Sequence, residues 1–219
     1  MEKIATKDGS FTVKHAQINE LYHSIHGAMQ ESMHVFIENG IALHKNKQQV
    51  SVFEMGLGTG LNALLTYKFA KENKIKVTYY CIEAYPMLAE DALQLNYTNT
   101  EDELAVFKQI HESEWNKVEN IDEHFSLFKI KGKLEYTGLS FLKGIIDVIY
   151  FDAFAPTAQE ELWQPDILSK MYGLLKTEGH LTTYCAKGQF KRDLKNVGFT
   201  VKAVAGPPGK REMTLAYKE

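Results

Sequence analysis

The stretch that most constrains this chain is Val50 to Asn62, VSVFEMGLGTGLN. Val50, Val52 and Phe53 are apolar and β-prone and predict a short buried strand. Glu54-x-Gly56-x-Gly58-x-Gly60 then predicts a tight turn, and Leu61 to Lys71 a helix. Strand, glycine turn and helix in that order bring backbone close to a nucleotide, because a helix N-terminus offers free N–H groups there. Glycine suits the turn because a Cβ would block tight turning or close ligand approach. A dinucleotide fingerprint, G-x-G-x-x-G, would place its third glycine at position 61, which is Leu61. The third glycine is Gly60, and no His/Lys constellation for hydride transfer accompanies it, so a nicotinamide dehydrogenase is disfavoured. A glycine turn alone is also compatible with a merely structural βα connection.

Residues downstream of the turn strengthen the nucleotide reading. Val77 to Ile82 predicts a second strand, ending at Glu83, 27 residues beyond Gly56. In a doubly wound sheet, a carboxylate at that point meets the ribose hydroxyls of a bound nucleotide, and one carboxylate can accept both bonds from a vicinal diol. Ile145 to Phe151 predicts a further apolar strand, ending in Asp152-Ala153-Phe154-Ala155-Pro156. Leu181 to Cys185 predicts another strand. Phe199 to Val204 and Met213 to Tyr217 predict a closing antiparallel pair joined by Gly206 to Arg211. Helices are expected over Gln17–Gly27, Glu31–Ile37, Pro86–Asn96, Glu101–Ile110, Glu160–Leu175 and Gln189–Asn196, and a strand over Phe125–Ile130; Trp115–His124 is ambiguous. Strands alternating with helices predict a parallel α/β sheet with crossovers. Residues 1–45 read as a helical N-terminal extension and 46–219 as the nucleotide-binding domain.

No apolar run approaches the roughly 18 residues of a membrane span, and the polar start MEKIATKDGS lacks a signal-peptide core, so a cytoplasmic protein without a membrane partner is expected. Cys81 and Cys185 lie in strand-like runs and are expected as buried free thiols. His23 and His26 stand three apart with His34 nearby, but no further ligand group has suitable spacing, so no metal is expected. The net charge of −3 does not suggest nucleic-acid binding. An RNA contact would need a local basic patch, for which Lys187, Lys191, Arg192 and Lys195 around one turn and helix, and Lys210 with Arg211 on a Gly/Pro loop, are the candidates.

Ligands of such sheets bind beyond the carboxyl ends of the strands, where Glu54 to Gly60, Glu83 and Asp152 to Pro156 would collect. Gly56-x-Gly58-x-Gly60 preceded by Glu54 resembles motif I of class I S-adenosylmethionine (AdoMet) methyltransferases. DAFAP resembles the acid-or-amide, proline and aromatic signature of amine-directed methyltransferases. That likeness implies a polar side chain holding an amine while an aromatic packs over it, with Asp152 as the group that orients or deprotonates the amine and Phe154 and Pro156 beside it. An alkylammonium is mostly protonated at neutral pH, so a carboxylate that takes its proton is useful.

The segments DGSFT, LYHSIHGAMQESMHVFIENG, FEMGLGTGLNALL, FDAFAP followed by ELW, TYCAKGQFKRDLKNVGF and GPPGKREM occur in this order across nearly the whole chain. Together they resemble the methyltransferase domain of the family forming 5-methylaminomethyl-2-thiouridine in bacterial tRNA (the MnmC/MnmD family). The resemblance implies an α/β, Rossmann-like class I AdoMet fold, mostly parallel with an antiparallel C-terminal strand. It implies N-methylation of a 5-aminomethyl-(2-thio)uridine at the tRNA wobble position, with AdoMet as cofactor and tRNA as partner. Carried over to this sequence, Glu54, Gly56, Gly58, Gly60, Asn62 and Glu83 would form the cofactor site, with Tyr22 and Glu31 helping to wall it. Asp152 would be catalytic, and Phe154, Pro156, Lys187, Lys210 and Arg211 would lie towards the substrate. The sequence departs from the family pattern in two ways. The bifunctional members continue into a flavin oxidoreductase domain, whereas this sequence stops at Glu219, so that activity is not expected here. Related enzymes often place an aspartate after the glycine of the adenine loop; here Gly132 is followed by Lys133, and a backbone amide is the expected substitute. A small-molecule amine transferase on the same sheet, similar to polyamine aminopropyltransferases, is the alternative.

Overall fold

The structure, a computed structural model, describes residues 2–219. A hairpin, β1 (Lys3–Ala5) and β2 (Phe11–Val13), leads through turns to helix α1 (Ala28–Ser32), which widens into a π-helical segment over Met33–Glu38 and ends in a 3₁₀ turn at Ile41–His44. Strand β3 (Gln49–Met55), helix α2 (Leu61–Asn73) and strand β4 (Lys76–Glu83) come next. Then come helices α3 (Ala89–Ala92) and α4 (Glu101–Glu112), strands β5 (Val118–Asn120), β6 (Phe125–Lys131) and β7 (Ile146–Phe151), and helix α5 (Pro165–Leu174). Strand β8 (Leu175–Thr183), helix α6 (Gly188–Val197) and strands β9 (Thr200–Ala205) and β10 (Glu212–Tyr217) close the chain.

The main sheet has eight strands in the order β5-β6-β4-β3-β7-β8-β10-β9. The five strands from β6 to β8 are mutually parallel; β5, and β10 against both β8 and β9, pair antiparallel. From β3 the chain first builds outward through β4 and β6, then returns to add β7 on the other side. The switch point therefore lies between β3 and β7, and a crevice opens beyond their carboxyl ends.

Each face of the sheet carries a core. On one, Val35, Phe36, Leu64, Tyr79, Phe107 and Tyr150 pack together; on the other, Phe53, Ile149, Phe151, Trp163, Met171 and Phe190 do. Strand β7 is buried at all six residues, which explains its unbroken apolar run apart from Asp147. Cys81 and Cys185 are buried and free. Among the described residues no helix is long and apolar enough to cross a membrane.

At the end of the sheet opposite the crevice, Asp147 is 1% exposed. It accepts hydrogen bonds from Lys47 Nζ, Lys176 Nζ and Ser51 N, each at 2.8 Å. These bonds tie β7 to β3 and β8 and hold the carboxyl below its usual range, despite the burial that opposes ionisation. Asp147→Ala removes three charge-assisted bonds at once and should lower the unfolding free energy by about 2–3 kcal/mol in denaturant titrations. An unchanged midpoint would show the cluster to be dispensable.

Four local expectations are corrected. Residues 17–27 are not helical. Asn19 takes φ 65°, Lys14 bridges Leu21, and His15 Nδ1 accepts the N–H groups of Gln17 and Ile18, so a side chain replaces the first helical turn. Within 86–96 only Ala89–Ala92 is helical, while Asn96 is drawn away to bond Phe11 N and Gly9 O of the hairpin. The span 160–175 is a 3₁₀ turn followed by α5, broken where Gln164, preceding Pro165, is extended. Strand β8 starts at Leu175, six residues before the expected Leu181, with a pairing irregularity before His180 and Glu178 at φ 64°.

Candidate functional site

A cavity of about 400 Å³ occupies the crevice. Its floor is the glycine turn. Gly56, Gly58 and Gly60 adopt φ of 87°, 52° and 77°, all in the left-handed region. A Cβ on Gly58 would meet the Tyr22 ring at 3.0 Å, and one on Gly60 the His111 Nε2 at 2.6 Å. The turn is therefore closed to side chains by both conformation and space. It is braced from outside. Thr59 Oγ1 pairs with His23 Nε2 at 2.8 Å, and Thr59 O accepts from His111 Nε2 at 3.1 Å. Burial holds both imidazoles neutral, pushing each down to about 4.

Glu83 stands at the tip of β4, beside this turn. Its Oε2 accepts from Gly58 N at 2.9 Å and its Oε1 from Tyr85 N at 2.7 Å. The carboxylate is thus aimed by two backbone amides, and each oxygen keeps a further lone pair. Beyond it, Gly132, Lys133, Leu134 and Glu135 line the cavity at the end of β6. Lys170 Nζ holds this loop from behind through Leu134 O at 2.6 Å and Thr137 O at 3.3 Å.

On the other side of β3, Asp152 comes directly after β7. Its Oδ2 accepts from Asn62 Nδ2 at 2.8 Å, and the same amide nitrogen donates to Glu54 Oε1 at 2.9 Å. Burial and the nearby Glu31 raise the Asp152 carboxyl to about 7, against the opposing effects of Asn62 and Lys210. Glu54 is fully buried, and that burial lifts it well above the usual carboxylate range. Facing Asp152, Lys210 Nζ bonds Glu31 Oε1 at 2.7 Å and sits 3.8 Å from the Tyr184 ring centre, while Tyr184 donates its hydroxyl to Ala153 O at 2.8 Å. Four rings, His15, Tyr22, Tyr85 and Phe154, form a wall centred on His15, with centroid separations of 5.4–5.5 Å.

Of the residues expected from sequence, Gly56, Gly58, Asn62, Glu83, Tyr22, Glu31, Asp152, Phe154 and Lys210 line this one cavity. Glu54 and Gly60 lie directly beneath it, reaching it through Asn62 and the turn. Pro156, Arg211 and Lys187 are not among its lining residues; Arg211 and Lys187 are exposed. Lys133, expected at the adenine loop, lines the cavity too, whereas His15, Tyr85, Tyr184, Leu134 and Glu135 are lining residues that the sequence did not single out. Tyr85 and Tyr184 each lie just past the end of a parallel strand, which is the one signal that could have found them; His15 has none.

Comparison with known proteins bears on the same geometry. Residues 136–219, which include β7, Asp152 and the closing antiparallel strands, match the family model described as S-adenosyl-L-methionine-dependent methyltransferase. The "tRNA 5-methylaminomethyl-2-thiouridine biosynthesis bifunctional protein MnmC" of Cupriavidus necator is 29% identical over 90% of this chain. The protein of that name from Leptospira interrogans is 26% identical over 91% of the chain. This chain spans about a third of the length of those relatives, 32% in both cases. The solved structure of MNMC2 from Aquifex aeolicus superposes with a TM-score of 0.80 over 99% of this chain and 70% of that one, at 23% identity, and so shares the fold.

The site suits the cofactor of that methyltransferase family. The glycine turn leaves a backbone cradle that any Cβ at Gly58 would fill, and Glu83 presents two aimed acceptors beside it. Gly132 and Lys133 stand on that part of the wall, with Leu134 and Glu135 beside them.

Proposed function

We propose that the chain N-methylates a primary amine carried on an RNA base, the aminomethyl group of 5-aminomethyl-(2-thio)uridine at the tRNA wobble position. The observation that carries this reading is Asp152, a half-buried carboxyl poised near neutrality on the cavity side opposite Glu83, with Phe154 beside it. The names and 90% chain coverage of the curated relatives support the choice of tRNA.

S-adenosyl-L-methionine, when bound, supplies a methyl group on a sulfonium. Gly56, Gly58 and Gly60 shape its cradle, Glu83 accepts from the ribose hydroxyls, Tyr22 covers the turn, and the backbone at Lys133–Leu134 takes the adenine edge. Asp152 orients the acceptor amine and accepts its proton, so that the nitrogen lone pair is free. Phe154 walls the acceptor. Lys210, held by Glu31 and Tyr184, places a positive charge near the amine and disfavours its ammonium form. Pro156 shapes the approach from outside, and Lys187 and Arg211, exposed and away from the cavity, contact the RNA backbone. Residues 1–45 act as a segment that closes the cavity of the 46–219 domain, contributing His15, Tyr22 and Glu31.

The deciding experiment is transfer of tritium from methyl-labelled AdoMet into tRNA bearing aminomethyl uridine. Label in that tRNA but not in control tRNA is the expected result. Label appearing in a free polyamine, or none in tRNA while AdoMet still binds, overturns the proposal. Glu83→Ala should raise the calorimetric AdoMet Kd about 10- to 100-fold, since two hydrogen bonds to a charged acceptor are lost. An unchanged Kd would remove Glu83 from the cofactor site.

A further inference from the structure

Beneath the cavity, one carboxamide serves two carboxyl groups. Both N–H groups of Asn62 are spent, one on Glu54 Oε1 at 2.9 Å and one on Asp152 Oδ2 at 2.8 Å. Glu54 is 0% exposed and does not line the cavity, so it has no surface to offer a ligand. The charged partner that would justify a buried carboxylate is missing, for no lysine, arginine or histidine bonds it among the described residues. Its second oxygen, Oε2, is buried without a partner in full hydrogen-bonding geometry, as are Asn62 Oδ1 and the hydroxyl of Tyr79, whose proximity to Glu54 only partly offsets the burial that raises it. An ionised carboxylate there would be costly; a carboxyl that keeps its proton adds a donor beside two other buried polar atoms, Asn62 Oδ1 and the Tyr79 hydroxyl.

We propose that Glu54 is a permanently neutral carboxylic acid that, through the Asn62 carboxamide, fixes the orientation of Asp152, so that Oδ2 is occupied and Oδ1 is left for the acceptor's proton. The inference rests on the function proposed above and assigns Glu54 and Asn62 a positioning role in place of the cofactor contact that the sequence suggests. The amide orientation follows from the pair it serves: only the NH₂ side can donate to two carboxyl oxygens. A neutral Glu54 also leaves Asp152 as the one ionisable group of the pair. Its proton therefore comes and goes near pH 7 without a second ionised carboxylate on the shared carboxamide, while the Asn62 bond favours the ionised form and Glu31 opposes it.

The test uses the full chain and two readouts. The first is independent of turnover: the Asp152 carboxyl is titrated by carbon-13 NMR in the wild type and in Asn62→Ala. Loss of the Asn62 bond should move that titration upward by about one pH unit. The second is kinetic. Asn62→Ala should move the acidic limb of the kcat profile in the same direction, and Glu54→Ala should lower kcat at least about tenfold. Glu54→Gln, which keeps a neutral group with an acceptor oxygen for Asn62, should recover kcat to within about threefold of wild type. AdoMet Kd should change less than about threefold in all three variants. An unmoved Asp152 titration, or a Glu54→Gln variant as impaired as Glu54→Ala, overturns the inference. A tenfold loss of AdoMet affinity in Glu54→Gln also overturns it and returns Glu54 to the cofactor site. Failure of the methyltransferase reading is seen separately, as a wild type that transfers no methyl; the NMR titration still judges the pairing, and Glu54→Gln, close in size and shape, covers the case in which Glu54→Ala does not fold.

Discussion

Asp152→Asn should reduce kcat for methylation of aminomethyl-bearing tRNA by about 10²- to 10⁴-fold, the range associated with a positioned base. Asparagine keeps the shape of the side chain and can still accept from Asn62, so the AdoMet Kd should stay within about threefold. The capacity to take a proton is what disappears. In the wild type, Asp152 is raised to about 7 by burial and by Glu31, so kcat should climb through that pH as the carboxylate forms. The variant should lack that limb. At pH 8 the variant should also be the more stable protein, by about 1–2 kcal/mol, because the native state no longer holds an ionised carboxylate in a site that disfavours it. A variant with near wild-type turnover would remove Asp152 from the chemistry and leave a binding module.

The second large effect is on stability. His23, His44, His111 and His180 are each pushed by burial to about 4 in the folded chain. His44 and His180 are stacked, with Nε2 and Nδ1 3.1 Å apart, so the first proton entering that pair opposes the second. An unfolded histidine titrates near 6.5. Between about pH 4 and 6.5, unfolding therefore takes up as many as four protons on these rings, and their stabilising contribution, complete above 6.5, fades as pH falls. Asp152 and Glu54 act oppositely. Their folded values are raised, so between about pH 4.5 and 6.5 the native state holds two protons that the unfolded chain has released. The net uptake is about two protons, which gives a slope of up to about 3 kcal/mol per pH unit. From pH 6.5 to 5 the chain should lose several kcal/mol and about 10 °C in Tm. Above 6.5 the histidines fall silent, while the native state still holds protons that the unfolded carboxyls released long before, so stability declines by about 1–3 kcal/mol per pH unit until the folded carboxyls ionise in turn. Thermal scans from pH 4.5 to 9 should show a maximum near 6.5; a flat profile would show the buried rings to be hydrated.

Legibility from sequence tracked the range over which each signal acts. The β3 turn was readable because three glycines at alternate positions report a local backbone requirement, now seen as three left-handed φ values. Glu83 and Asp152 were readable because apolar strands end just before them, and strand ends in a parallel sheet share one edge. The helix expected over residues 17–27 failed for a reason that spacing does not carry: Ile18, Leu21, Tyr22 and Ile25 fit a helical face, yet the His15 ring captures the amides that would start the helix. The long helix over 160–175 failed at Gln164, where the proline next in sequence was itself the local signal.

The sequence by itself determined the five parallel strands, the helices α2, α4 and α6, the glycine turn and the acids at two strand tips, because periodicity and backbone sterics act between near neighbours. Only the tertiary structure decided which side chains meet. It brought His15, Tyr85 and Tyr184 into the cavity and left Pro156, Lys187 and Arg211 outside its lining. It also sank Glu54 beneath the cavity, where Asn62, eight residues on, joins it to Asp152, a further 90 residues along the chain. Those outcomes depend on β7 returning to the far side of β3 and on an N-terminal segment folding over the result, long-range pairings that no stretch of a dozen residues encodes.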